Sequence, residues 1–163
     1  MDILADKQLV VGTKDKRITP HQIGLDFTDY DILIIPGGKG VDKVVQNQEI
    51  LDKIKEFGKE KIVCSIGLGS IILALAGLLK NRKATTHQKH FQRLQKYCKV
   101  ENKRIVVSDN IITVRGMLCA VDLAEKILEI CYSKSIADIV LEYINVQRKS
   151  KGISVVLGET NEE

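Results

Sequence analysis

The apolar and polar positions along the chain form short continuous apolar runs that alternate with stretches of helical spacing. Leu9-Val10-Val11 predicts a short strand, and Arg17-Ile18-Thr19 predicts a second extended piece after a polar turn. Asp31-Ile32-Leu33-Ile34-Ile35 is an apolar run that stops at Pro36-Gly37-Gly38. Apolarity without alternation predicts a strand covered on both faces, as in a parallel sheet. From Val44 to Phe57, the residues Ile50, Leu51, Ile54 and Phe57 return at helical intervals, and Gly58 offers a C-cap. Lys61–Ile66 predicts another buried strand, and Gly67-Leu68-Gly69 leads from it into a buried helix over Ser70–Leu79. A short strand over Lys83–Thr86 and a short helix over Phe91–Tyr97 follow. Two strands, Arg104–Val107 and Ile111–Val114, then flank the turn Ser108-Asp109-Asn110. Helices over Met117–Cys131 and Ser135–Ile144 close the pattern, the second opened by a serine N-cap.

Strands alternating with helices predict an α/β fold, a flavodoxin-like, doubly wound and mostly parallel sheet. Ligands in such folds bind beyond the carboxyl ends of the strands. Three glycine-bearing turns mark those ends here: Pro36-Gly37-Gly38, Ile66–Gly69 and Arg115-Gly116. Residues 1–144 are expected to form one domain. The polar stretch 145–163 is expected to be a flexible appendage, whose apolar island Ile153–Leu157 is a candidate to pair with a sheet edge.

Composition narrows the function classes. With 44% hydrophobic residues over 163 positions, the chain can bury a core without disulfides or metals. The net charge of +4 reads as a solvated basic face, and the basic stretch Lys80–Lys103 has only Phe91 and Tyr97 interleaved, so nucleic acid is not an expected partner. Four cysteines without a C-x-x-C pair fit a reduced, cytoplasmic setting, with Cys64, Cys98, Cys119 and Cys131 read as structural core. No signal-peptide pattern opens the chain, and Ile71–Leu79 is too short to span a bilayer, so no membrane association is expected.

The junction at Gly67-Leu68-Gly69 carries the candidate chemistry. Glycines there permit special backbone angles and close approach, and amides at a helix start attract anions. A dinucleotide site would need a third glycine where Ile72 stands, and no G-K-[ST] sequence exists, which leaves nucleotide binding as a weak third class. His87 and His90 have no nearby carboxylate or cysteine in sequence to complete a metal site, so neither metal nor cofactor is expected. The remaining use of such a turn is a nucleophile elbow, in which a catalytic side chain sits between strand and helix beside backbone amides.

Tyr30-Asp31-Ile32-Leu33-Ile34-Ile35-Pro36-Gly37-Gly38 resembles the YDxLxxPGG signature of the ThiJ/PfpI family, in the class I glutamine amidotransferase-like superfamily. Ala76–His87 is similar to the family's AGLLxGxxATTH, and Val114-Arg115-Gly116 with Ala120–Ala124 resembles its closing helix region. The resemblance runs from about Leu9 to Ile144 and is nearest to the branch containing isonitrile hydratases. It implies a cysteine at the elbow, a histidine at His87, and oxyanion-type amides at Gly38 and Leu68.

This chain departs from that pattern twice. The family's cysteine stands twenty positions before the histidine, and here that position is Gly67; Cys64 lies three residues earlier, inside the strand. The family's leading strand and its acidic residue have no match before Leu9. The expectation is therefore a protein without cysteine-dependent catalysis, leaning away from an enzyme. It would serve as a binding or assembly module whose cleft is lined by Gly37, Gly38, Gly67, Leu68, Gly69, His87, Arg115 and Gly116 and takes a small polar ligand. The alternative is an active hydrolase, hydratase or lyase acting on a small carbonyl or isonitrile compound, with Cys64 as nucleophile and His87 as base. A sheet short of one strand predicts an open edge, and with it a homo-oligomer or a complex with a chain that completes the sheet.

Overall fold

The computed structural model describes residues 1–12 and 15–146; the island Ile153–Leu157 lies outside them. Chain packing divides the protein into one unit over Met1–Leu123 and a second beginning at Ala124. The first unit opens with four two-residue strands: β1 (Leu4–Ala5), β2 (Val10–Val11), β3 (Arg17–Ile18) and β4 (Gln22–Ile23). β1 pairs with β4 in parallel and β2 with β3 antiparallel. Only the second of these pairs joins segments predicted to be extended, Leu9-Val10-Val11 and Arg17-Ile18-Thr19.

The chain then runs through β5 (Ile32–Ile35), α1 (Val41–Val44), α2 (Gln48–Phe57), β6 (Ile62–Ile66) and α3 (Gly69–Leu75). It continues with β7 (Lys83–Ala84), α4 (Phe91–Leu94), β8 (Lys99–Val100), β9 (Ile105–Ser108) and β10 (Ile111–Val114). The principal sheet has the order β5-β6-β10-β9, parallel except for β9, and this is the α/β arrangement expected from the apolar pattern. Pleating sends alternate residues to opposite faces. On one face Ile35, Val63 and Ile111 join Leu51, Ile54 and Phe57 of α2 and Ile71, Ile72, Leu73 and Ala74 of α3 in a single core. Six of the seven α3 residues are buried, which explains why its sequence shows no polar face.

Helix ends follow local capping chemistry more closely than apolar spacing. The helix expected from Val44 begins instead at Gln48, because Asn47 takes an extended conformation and its side chain accepts from Ile50 N. The helix expected to reach Leu79 ends at Leu75. Gly77 adopts φ +83°, Leu78 N donates to Leu73 O, and Gly77 N donates to Ala74 O, the paired bonds of a Schellman stop. Helix α4 is likewise shorter than the predicted Phe91–Tyr97.

Asn110 closes the β9–β10 hairpin and ties it to the start of β6. Its Nδ2 donates to Gly58 O at 2.9 Å and Lys61 O at 2.7 Å, and its Oδ1 accepts from Arg82 Nη1 at 3.2 Å. The preceding Asp109 takes a left-handed φ of 55°.

The second unit contains α5 (Ala120–Cys131) from Ala124 onward and α6 (Lys134–Tyr143). Its N-cap serine is Ser133, whose side chain accepts from Ile136 N at 3.2 Å, so α6 starts at Lys134 and not at Ser135. Cys131, expected in the core, is exposed. No helix among the described residues is long and apolar enough to cross a membrane.

Replacing Asn110 with alanine leaves two carbonyls and one guanidinium N–H without their partner. The expected loss is about 3 kcal/mol, from roughly 1 kcal/mol for each of the three net hydrogen bonds. Chemical denaturation checks it, and an unchanged midpoint would show that water replaces the amide without cost.

Candidate functional site

Three glycines let the ends of β5 and β6 touch backbone to backbone. A β-carbon on Gly69 would lie 2.3 Å from Ile35 O, and one on Gly37 would lie 2.7 Å from Ile66 O and 2.8 Å from Leu68 N. Between them Gly67 turns the chain from strand to helix at φ +56°, a left-handed conformation that costs any residue with a β-carbon. Its amide donates to Val114 O at 2.9 Å, which continues the β6–β10 ladder by one step.

The Gly67 carbonyl is the anchor of the turn. It accepts from Ser70 N at 3.2 Å, Ser70 Oγ at 3.0 Å and Thr86 Oγ1 at 2.9 Å. The neighbouring Thr85 donates its amide to Thr113 Oγ1 at 2.9 Å and its hydroxyl to Lys103 O at 3.0 Å. Both threonines are completely buried, so these bonds are shielded from water and fix where the next residue, His87, emerges.

His87 is exposed and caps a single 3₁₀ turn over Gln88–His90. Its Nδ1 accepts from Lys89 N at 3.3 Å, which in the neutral ring places the proton on Nε2. The Cδ2 atom beside Nε2 lies 3.8 Å from the β-carbon position of Gly116. A β-carbon on Gly67 would in turn sit 3.6 Å from Arg115 O and 3.7 Å from Gly116 Cα. The elbow, Gly116 and His87 therefore form one continuous surface.

That surface borders a cleft of about 420 Å³ lined by His87, Arg104, Arg115, Gly116, Met117, Leu118 and Cys119. Arg104 reaches Asp122 through both Nε (3.3 Å) and Nη2 (2.6 Å), and Nη2 also meets Leu118 O at 3.0 Å. These bonds from Asp122, then the charges of Asp122 and Cys119, hold the Arg104 guanidinium above its ordinary pKa. Arg115 has a different environment. Its Nη2 donates to the amide oxygen of Asn102, and its Nε is buried with no hydrogen-bond partner. Among the described residues, no group of three His, Cys, Asp or Glu side chains is placed to hold a metal.

The DJ-1/PfpI family pattern matches residues 2–130. The chain belongs to the DJ-1/PfpI family. It is 31% identical over 117 residues to isonitrile hydratase of Pseudomonas putida, covering 71% of this chain and 51% of that protein. It is 29% identical over 119 residues to a glutathione-independent glyoxalase of Caenorhabditis elegans, covering 71% of this chain and 64% of that one. Among solved structures, a ThiJ/PfpI family protein from Pseudomonas syringae superimposes with a TM-score of 0.80 at 24% identity, over 93% of this chain and 64% of its own. Drosophila melanogaster DJ-1beta gives a TM-score of 0.79 at 22% identity, over 86% and 78%. The chain spans about half the length of the isonitrile hydratase it matches.

Of the sequence-predicted site residues, Gly37, Gly67, Leu68 and Gly69 meet at the DJ-1/PfpI elbow, and His87, Arg115 and Gly116 meet at the cleft beside it. Gly38 takes φ +121° with nothing within 4 Å of its β-carbon position. Cys64 stays within β6, completely buried. Sequence reasoning missed Arg104 and Cys119 as cleft residues. The signal for Arg104 lay in the hairpin register: β9 and β10 pair Ile105 with Val114, and one step outward Arg115 N donates to Arg104 O at 2.9 Å.

The glycines make separable demands. Gly67→Ala meets only ordinary contacts and pays for the left-handed φ, a loss of roughly 1 kcal/mol. Gly69→Ala drives a methyl into a backbone carbonyl, so it is expected to cost about 3 kcal/mol or more. Denaturation midpoints of the two variants check this order, and the reverse order contradicts the geometry.

Proposed function

We propose that this DJ-1/PfpI chain is a binding and assembly module without cysteine-dependent catalysis, its cleft taking a small polar ligand. The observation that carries this reading is Gly67 at the elbow, left-handed at φ +56°, in the position that the family resemblance gives to a catalytic thiol. Cys64 offers no replacement, since it is 0% exposed and lies in the strand below the turn. A nucleophile must reach its substrate before its pKa matters. His87 then acts as a hydrogen-bonding group, with the Gly38 and Leu68 amides as further candidates to meet a ligand oxygen.

One observation favours a second reading. Cys119 lines the same cleft as His87, although it is only 4% exposed. The relatives are named for isonitrile hydration and glyoxalase activity, so an enzyme of this kind would act on an isonitrile or a small dicarbonyl.

Thiol labelling combined with turnover separates the two. With iodoacetamide near neutral pH, Cys131 is expected to react first because it is exposed, and Cys64 and Cys119 last. Burial pushes the half-buried Cys98 thiol up to about 11, so its thiolate is scarce at neutral pH and its labelling should accelerate steadily as pH rises. Neither glyoxal nor an alkyl isonitrile should be consumed. Turnover abolished by Cys119→Ser or Cys64→Ser would establish the enzyme instead.

Assembly rests on β5. It forms one edge of the principal sheet, its outer side has no backbone pairing among the described residues, and Ile34 is 38% exposed. An apolar edge of this kind accepts another strand. A second copy suits it, because β5 against β5 about a twofold axis is self-complementary. Light scattering is expected to give the mass of a dimer, with Ile34→Lys returning the monomer; a monomeric wild-type chain removes the assembly part of the proposal.

A further inference from the structure

The charges in the cleft are unbalanced. His87, Arg104 and Arg115 line it, and no lining residue carries a carboxylate. Arg104 is already neutralised by its two-pronged contact with Asp122. Arg115 is not, for among the described residues its side chain has one partner, the neutral amide oxygen of Asn102 on Nη2. Its Nε is shut away from water with nothing to bond. A buried donor left in this state costs on the order of 1–3 kcal/mol, which an acceptor placed on it would recover.

We propose that the cleft binds a small organic carboxylate, seated on the Nε–Nη2 edge of Arg115 in place of the Asn102 amide. A guanidinium presents this edge as two parallel donors spaced to match the two oxygens of a carboxylate. The exchange replaces one hydrogen bond to a neutral acceptor with two to an ionised one and satisfies the orphaned Nε. Asn102 is exposed, so its side chain can swing into solvent and have its oxygen solvated there. His87, which also lines the cleft, supplies a further donor at Nε2. Met117 and Leu118, both more than four-fifths exposed, offer apolar cover to a short hydrocarbon group on the same ligand. The volume of about 420 Å³ falls in the range of small-molecule sites. This assignment rests on reading the cleft as a binding site, and it names the class of ligand that the site takes.

The test uses propionate, with propionamide as its uncharged isostere, titrated into the whole chain while the Arg115 Nε–Hε resonance is followed by NMR. Propionate is expected to shift that resonance saturably and propionamide to leave it in place. Arg115→Lys keeps the charge but loses the fork, and should weaken propionate binding by roughly tenfold or more. Asn102→Ala removes the competing oxygen and should tighten binding by about threefold or more. Equal shifts with both probes, no shift with either, or undiminished binding by a folded Arg115→Lys protein would overturn the carboxylate assignment. Should Arg115→Lys fail to fold, the wild-type resonance and Asn102→Ala decide. The outcome is separate from the absence of catalysis: cysteine-dependent turnover of glyoxal removes the module reading whether or not propionate binds, and failure to bind propionate in an inert protein removes the carboxylate alone.

Discussion

The carbonyl of Gly67 gathers three donors from two separate segments, Ser70 N and Oγ from the helix that follows it and Thr86 Oγ1 from the chain beyond β7. A carbonyl has two lone pairs, so this oxygen is fully used, and the turn has little freedom to relax. The left-handed φ of Gly67 aims the carbonyl at both segments, and the contact of Gly69 with Ile35 O brings β5 against the same turn. Strand β5, strand β6, helix α3 and the loop bearing His87 thus depend on one peptide unit. Because the bonds from Ser70 and Thr86 are buried, each is costly to break and none can be exchanged cheaply for water.

Much of this was legible in the sequence. Ile32–Ile35 and Ile62–Ile66 announce themselves because buried parallel strands have no reason to alternate, and the glycines at 37, 67 and 69 mark close approach. Helix ends were less legible from apolar spacing, since α3 is buried nearly all round and apolar residues continue past Gly77 to Leu79. Asn47 and Gly77 carried the local signals, and capping chemistry decided there. The cleft was legible only in part. His87, Arg115 and Gly116 fall in recognisable motifs, but Arg104 reaches the site by pairing across a hairpin, and Cys119 by a 3₁₀ turn over Met117–Cys119. Neither neighbour relation exists until register is fixed.

The buried polar seam beneath the elbow has a comparable origin. Ser65, Ser70, Thr85, Thr86 and Thr113 are all fully or almost fully buried. Read singly, they look like ordinary small polar residues in apolar runs. In the fold Ser70, Thr85, Thr86 and Thr113 form the hydrogen-bonding layer on which the turn rests, with Thr113 facing Thr85 from β10 and Ser70 and Thr86 meeting at Gly67 O, whereas the Ser65 hydroxyl has no hydrogen-bond partner among the described residues. Apolar replacements of similar size would fill the space and leave the backbone groups unmatched, which explains why hydroxyls rather than methyls stand here.

A glycine at position 67 alters the chemistry of the elbow more than its shape. The backbone bonds that hold the turn come from residues 70, 86 and 114, none of which needs a side chain at 67. A β-carbon there would bear the cost of the left-handed angle and stand against Arg115 O and Gly116 Cα. What remains chemically unbalanced in the cleft is Arg115, a charged fork with one neutral partner beside a fully paired Arg104. The fold thus neutralises one arginine of the hairpin with Asp122 and leaves its neighbour, which lines the cleft, with a neutral partner alone.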